Sequence, residues 1–481
     1  FYLICEKKMK YPRDLLGYGQ NLPKVTWPNS AKIAIQFVIN YEEGGENCLL
    51  HGDPSSEAFL SEIVGAEPWI GKRHFNMESI YEYGARRGFW RLHDFFTKAR
   101  IPITVYGVAS ALVRSPVQVS AMLKANWEIA SHGYKWIEYK NFSKKKERNY
   151  IQKAVKFHKA ATGSKPRGWY LGRCTENTVS LVSELGCFDY ISDAYDDDLP
   201  YWNSAKKNPQ LIIPYTLDAN DMRFATTQGF NSWNQFYDYL KGTFDILYNE
   251  GKQGNPKMMS IGLHCRLAGR PGRMKAIQEF VNYVKKFKDV WFAKRIEIAN
   301  HWKKYHPYTP TKMSPYEMSK KEFLRVFGNV FEHSAWVAEK TYRRGLNPSM
   351  KNADALHGFM CLEFRLASDI EKLKILNLHP DLALGKIKKI NKLTNSSKNE
   401  QKKAGLTSLT EKEQNDFNEL NFNYKKKFKF PFIIAVKGKN RSQILRQFKM
   451  RLNNSKQLEF ENACNEVEKI AGFRIQEIFN P

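Results

Sequence analysis

A chain of 481 residues is too long for one compact core, and its 42% hydrophobic and 14% aromatic content belongs to a protein that buries real cores. Its longest apolar run, Phe430 to Val436, is far too short to cross a bilayer, so no membrane partner is expected. The formal charge of +27, from 76 Lys and Arg against 49 Asp and Glu, comes without a nucleic-acid-binding motif, so it reads as a lysine-rich surface and no nucleic-acid partner is expected.

Seven cysteines lie scattered at 5, 48, 174, 187, 265, 361 and 464 with no C-x-x-C pair, which argues for free thiols and against a disulfide framework or a Cys-rich zinc site. The opening FYLIC is followed at once by Glu6, Lys7 and Lys8, the wrong charge order for a secretory signal. Met9 is the expected start and the cytoplasm the expected location.

In chain order, Ile33–Ile39, Ile101–Val108, Trp127–Ala130 and Met258–Leu263 are apolar runs without a polar face, as parallel strands covered on both sides require. Helical patterns at Phe89–Lys98 and Asn177–Leu185 alternate with them, so residues 9–302 are expected to form an α/β domain, either a barrel or an open sheet. The proline-rich, basic stretch 303–315 reads as a linker. From Ser319 onward only helices are expected. Ser319 and Glu322 make a capping box, Phe323, Val326, Phe327, Val330 and Phe331 follow at helical spacing, and further helices are expected at Leu409–Phe428, Ser442–Leu452 and Gln457–Ala471. Residues 316–481 are thus expected to be all-α.

Polar residues that follow strand ends of an α/β barrel gather at one mouth, where such folds place their chemistry. Three segments qualify: Asn40-Tyr-Glu42-Glu43-Gly-Gly-Glu46, Ser131-His132-Gly-Tyr-Lys-Trp136 and Leu263-His264-Cys-Arg266. Taken singly, each is as compatible with a packed histidine or a solvated turn. Together they resemble the polysaccharide deacetylases, whose acidic pair and H-x-x-x-H pair hold a metal and a base. Here the pair is Glu42-Glu43, and Trp136 stands at the second histidine position. An indole offers only a donor, and Glu43 with His132 falls short of the three protein ligands usual at catalytic zinc, so no metal and no cofactor is expected.

That departure resembles the allantoinase branch of the superfamily, the PuuE type, over Tyr11–Trp302. The resemblance rests on Tyr11-Pro-Arg-Asp14, Gly168-Trp-Tyr-Leu-Gly-Arg173, Ser192–Trp202, Ile213–Phe224 and Ile261–Gly272, with Lys135 where the family suggests Arg. It implies a deacetylase-type (β/α) barrel that opens the hydantoin ring of allantoin with water. Glu42 or Glu43 would then be the base and His264 the proton donor to the leaving nitrogen. His132, with Arg173 or Arg266, would polarise the carbonyl, and Trp136, Arg173 and Arg266 would contact substrate.

The helical region resembles OHCU decarboxylases, where OHCU is 2-oxo-4-hydroxy-4-carboxy-5-ureidoimidazoline. Its motifs are Phe327–Trp336, His379-Pro-Asp-Leu-Ala383, Ser397-Lys-Asn-Glu400-Gln401, Phe428–Gly438 and Ile470–Arg474. The resemblance implies His379 and Glu400 as catalytic, and Ser397, Arg474 and the backbone near Ile433 as substrate-binding. Leu384, inserted before Gly385-Lys386, departs from the family pattern. The expected function is therefore bifunctional: OHCU to (S)-allantoin in the second domain, allantoin to allantoate in the first, with small-molecule substrates and a homo-oligomeric assembly. The alternatives are a metal-dependent polysaccharide deacetylase with a helical accessory domain, and a non-catalytic ureide-binding scaffold.

Overall fold

Nine consecutive residues without a solvated face force the first strand into the centre of a sheet. In the computed structural model β1 (Ile33–Tyr41) is buried at every position. The structure describes residues 11–203, 209–310, 313–383, 402, 405–406 and 409–480. They form two compact units. One is Gln20–Thr309; the other joins Pro310–Pro481 to the N-terminal segment that ends at Gly19.

In the first unit the four long apolar runs become β1, β2 (Ile103–Gly107), β3 (Glu128–Ser131) and β8 (Lys257–His264). Short strands complete the sheet: β4 (Gly168–Trp169), β5 (Tyr190–Ile191), β6 (Tyr201–Asn203), β7 (Gln210–Ile212) and β9 (Val290–Phe292). The order is β6-β7-β5-β4-β3-β2-β1-β8, parallel except for β6 with β7, and β9 pairs with the first residues of β1. Helices such as Phe89–Ala99 and Thr178–Leu185 fall where their periodicity predicts. The last helix, Arg295–Tyr305, runs three residues into the stretch read as linker.

Register decides which residues meet. Asn40 lies opposite Tyr106 on one side and His264 on the other, and Gly107 lies opposite Ser131. The C-terminal ends of β1, β2, β3 and β8 are therefore level, and the segments carrying Glu42, His132 and His264 leave the sheet side by side.

The sheet does not close on itself among the described residues; only an isolated bridge, Asn220 to Gly262, spans part of the gap. Arg295 fills the interior instead. Fully buried, it donates to Gln36 Oε1 and Ser260 Oγ (both 2.8 Å), Ser192 Oγ (3.0 Å) and the carbonyls of Ile213 and Pro214. One guanidinium thus links β1 and β8 to the segment after β7, doing with side-chain hydrogen bonds what a missing strand pair would do with backbone.

Among its described residues the second unit contains helices and no strand: Lys320–Phe327, Ala335–Arg344, Ala353–Arg365, Asp369–Leu378, Glu411–Phe428, Arg441–Arg451 and Lys456–Phe479. Ser319 accepts from the Glu322 amide, and reciprocal capping boxes open three later helices at Ser368/Glu371, Thr410/Glu413 and Asn440/Gln443. Phe430 to Val436 is buried at every residue yet forms neither helix nor strand; it is an apolar cord through the core. Residues 11–19 join this unit through Asp14, which accepts from Ser349 Oγ (2.8 Å) and Lys351 Nζ (3.0 Å).

Replacing Arg295 by Met removes five donated hydrogen bonds and strands their buried acceptors. The expected loss is at least about 3 kcal/mol of barrel-unit stability, read as a drop of roughly 5–10 °C in the midpoint of thermal unfolding. An unchanged midpoint would show that the barrel is closed by other contacts.

Candidate active sites

At the mouth of the first unit, two imidazoles converge on one carboxylate oxygen. Glu42 Oε1 lies 3.3 Å from His132 Nε2 and 3.5 Å from His264 Nε2, and Arg266 Nη2 lies 2.7 Å from Glu42 Oε2. All four side chains are buried. Burial alone would raise the Glu42 pKa, but the guanidinium of Arg266 and the adjacent His264 hold it well below the usual carboxylate range.

His264 is gripped from both sides. Its Nδ1–H donates to Asp221 Oδ1 at 2.6 Å, while Asp221 Oδ2 accepts from the amides of His264 (2.7 Å) and Ala268 (2.8 Å). Burial would lower this imidazole, yet the charges of Glu42 and Asp221 outweigh it and raise the group to about 9. His264 is therefore a cation at neutral pH. His132 Nδ1 is buried with no hydrogen-bond partner among the described residues.

Glu43 has a different seat. Its Oε2 accepts from the Glu42 amide at 3.1 Å, and Arg266 Nη1 is 3.8 Å from Oε1. Behind it, the π-helical turn Gly84–Gly88 comes so close that a Cβ at Gly84 would lie 2.3 Å from Glu43 Oε1. Burial pushes Glu43 up to about 7. Glu43 thus stands behind Glu42, while Glu42 faces the histidines.

Trp136 packs into the barrel core and stacks on Phe59 at 6.0 Å, with Arg173 Cζ 4.1 Å and Arg266 Cζ 5.3 Å from its ring centroid. Arg173 is held by Glu138 at 3.5 Å, and its loop is held by Asp193 Oδ1, which accepts from the amides of Leu171 and Gly172, both at 2.8 Å. The deacetylase metal does not fit these residues. An indole fills the place of one ligand, and a guanidinium occupies the carboxylate of Glu42.

In the helical unit His379 caps the helix Asp369–Leu378. Its Nδ1 lies 2.9 Å from the Ile375 carbonyl, to which it can only donate, so Nε2 carries the lone pair of the neutral ring. Burial lowers its pKa, opposed by Glu332 and assisted by Arg474. Arg474 Nη2 meets the fully buried Glu332 at 2.8 Å. The segment after His379 is held by one face of the helix Glu411–Phe428: Gln414 donates to the Ala383 carbonyl, Asn421 to the Leu382 carbonyl (2.9 Å), and Lys425 pairs with Asp381 (2.7 Å). Ile433 is buried, and its carbonyl accepts from Arg451 at 2.9 Å. Ser397, Glu400 and Leu384 lie outside the described residues.

Two residues of these clusters escape sequence reasoning, Asp221 and Glu332. Both sit inside the resemblance motifs, but nothing in their spacing announces a partner at 264 or 474.

Comparison with known proteins gives two families. Residues 77–187 match the polysaccharide deacetylase family and residues 316–476 the OHCU decarboxylase family. A putative polysaccharide deacetylase of Schizosaccharomyces pombe is 42% identical over 317 residues, 62% of this chain and 98% of that protein. The crystal structure of PuuE allantoinase is 53% identical, with a TM-score of 0.61, over 63% of this chain and all of that one. The 2-oxo-4-hydroxy-4-carboxy-5-ureidoimidazoline decarboxylase of Halalkalicoccus jeotgali is 34% identical over 165 residues, 34% of this chain and 89% of that protein. This chain belongs to the polysaccharide deacetylase family through its barrel and to the OHCU decarboxylase family through its helical unit.

Proposed function

We propose that the chain performs two consecutive steps of ureide catabolism. The helical unit decarboxylates OHCU to (S)-allantoin, and the barrel hydrolyses allantoin to allantoate. The observation that carries the barrel half is the convergence of His132 and His264 on a Glu42 carboxylate whose charge Arg266 counters.

Ring opening needs a base for water, a donor for the developing oxyanion and an acid for the leaving nitrogen. Glu42 is the base; Arg266 keeps it ionised, and it is the carboxylate that faces the imidazoles. His264, cationic up to about 9, protonates the nitrogen as the C–N bond breaks, and Asp221 sustains that charge. His132 lies beside the same oxygen and polarises the carbonyl. Arg173, layered on Trp136, offers a guanidinium to a substrate carbonyl.

In the helical unit the depressed pKa of His379 keeps its ring neutral at pH 7. Its Nε2 moves a proton drawn from the substrate to one face of the ring carbon once CO2 departs. Arg474, set by Glu332, with Ser397 and the backbone at Ile433, holds the substrate, and Glu400 acts with His379 in catalysis. The same reading places the chain in the cytoplasm as a homo-oligomer acting on small molecules.

Freshly generated OHCU given to purified protein is expected to appear as allantoin and then allantoate by NMR. Glu42→Gln or His264→Ala should stop the sequence at allantoin, with the barrel activity falling at least about 100-fold. His379→Ala should block it before allantoin while added allantoin is still consumed. One substitution that silenced both steps in folded protein would refute two separate sites.

Because the folded pKa of His264 lies above its ordinary value, its proton is present at neutral pH and lost as pH rises through about 9. After subtraction of the spontaneous rate, kcat for allantoin should fall above pH 9. Asp221→Asn, which removes one of the two charges, should move that limb to lower pH. A limb that stays in place would exclude His264 as its source. Exhaustive chelation is expected to leave allantoin turnover intact; loss restored only by zinc would overturn the metal-free reading.

A further inference from the structure

Between β1 and the helix Phe75–Tyr83, residues 47–74 form a long excursion whose only helical element is the short turn Leu49–His51. It is folded on itself: Ser55 bridges Ile70, the Ser56 amide donates to the Trp69 carbonyl at 3.2 Å, and Glu57 Oε1 accepts from the amides of Ala58 (2.9 Å) and Phe59 (3.0 Å). The excursion exposes Leu50 (64%) and Ile70 (74%) to solvent, while Leu60 is buried in the barrel core with Ile63 and Ala66 packed beside it, so apolar burial anchors its middle and the stretch around His51 and Asp53 depends on polar contacts.

Three contacts tie it to the candidate site. Phe59 stacks on Trp136, and the Leu60 carbonyl accepts from Arg266 Nε at 3.4 Å. The third is the strongest. Lys135 Nζ donates to the His51 carbonyl and to Asp53 Oδ1, both at 2.6 Å, with the lysine and aspartate side chains only 11% and 7% exposed. Asp53 Oδ2 in turn accepts from the Cys48 amide at 3.2 Å. Lys135 lies on the same short loop as His132 and Trp136, so this ammonium joins the excursion to the loop that carries two residues of the site. Phe59 also lies 5.4 Å from Arg173 Cζ, which completes a layered stack of Phe59, Trp136 and Arg173.

We propose that Lys135 is a positioning residue for the barrel reaction: it pins residues 47–74 so that Phe59 and Leu60 roof the site and fix the height of the Trp136–Arg173 platform on which substrate rests. The inference rests on the allantoinase reading given above. Lys135 reaches neither Glu42 nor His264 in the contacts described, so its loss acts on substrate seating and leaves the acid and base where they are.

Lys135→Met in the full chain is expected to raise KM for allantoin about tenfold or more with a smaller change in kcat, the signature of lost seating rather than lost chemistry. An unchanged far-UV circular dichroism spectrum and thermal midpoint report that the barrel is folded, and OHCU decarboxylation reports the same for the helical unit. Chymotrypsin, which needs no substrate, should cut the variant within residues 47–74 faster than the unmodified protein. Lys135→Arg, which keeps the charge, should recover most of both effects. Asp53→Asn, which changes little volume, should reproduce the Met variant and carries the test if that variant is insoluble. Unchanged KM and unchanged cleavage in Lys135→Met, or in Asp53→Asn, would overturn the proposal. Should the unmodified protein fail to hydrolyse allantoin, the allantoinase reading falls, and the cleavage comparison still decides whether Lys135 holds the roof.

Discussion

A buried carboxylate is costly unless cations surround it, and the mouth of the barrel is organised around satisfying Glu42. Arg266 supplies the permanent charge, His264 a second one, and His132 a polar edge. Glu42 follows β1, His132 follows β3, and His264 and Arg266 come together from the end of β8, so the satisfaction of one group holds the ends of three strands together. The same requirement runs outward. Asp221 exists to keep His264 charged, and the closeness of Gly84 exists because Glu43 needs a seat behind Glu42.

A second buried guanidinium solves a different problem in the same unit. The strands do not close, and Arg295 gathers acceptors from β1, β8 and the segment after β7. One arginine thus links strands that do not pair directly among the described residues, while the other supplies the counter-charge to Glu42. In both places a planar group with five fixed donors is useful because the acceptors it serves are spread over several segments.

The helical unit reaches its site by other means. A single helix face, through Gln414, Asn421 and Lys425, grips the three residues that follow Pro380, so the His379 ring is held by backbone anchoring on one side and by its own bond to Ile375 on the other. Within reach of that ring lies the Glu332–Arg474 pair, joined from opposite ends of the unit. Two chemistries that share an intermediate therefore sit in units with separate cores.

Much of this was legible beforehand. Uniform apolarity from Ile33 and from Met258 could only mean doubly covered strands, helical spacing after Ser319 could only mean a helical unit, and an indole at 136 could not be a ligand. Those are local properties, written in neighbouring residues. The short strands at Gly168, Tyr190 and Tyr201 carried no periodicity to read, because two or three residues acquire strand geometry only from the partner they pair with. The apolar cord from Phe430 lies in a region read as all-helical and is neither helix nor strand. Choosing Glu42 over Glu43 as the residue facing the histidines, finding Asp221 behind His264 and Glu332 against Arg474, and tying Lys135 to Asp53 all depended on strand register and on packing between distant segments. Ion pairing acts through space, and the sequence separations involved, from 43 to 222 residues, leave no local trace of which charges will meet.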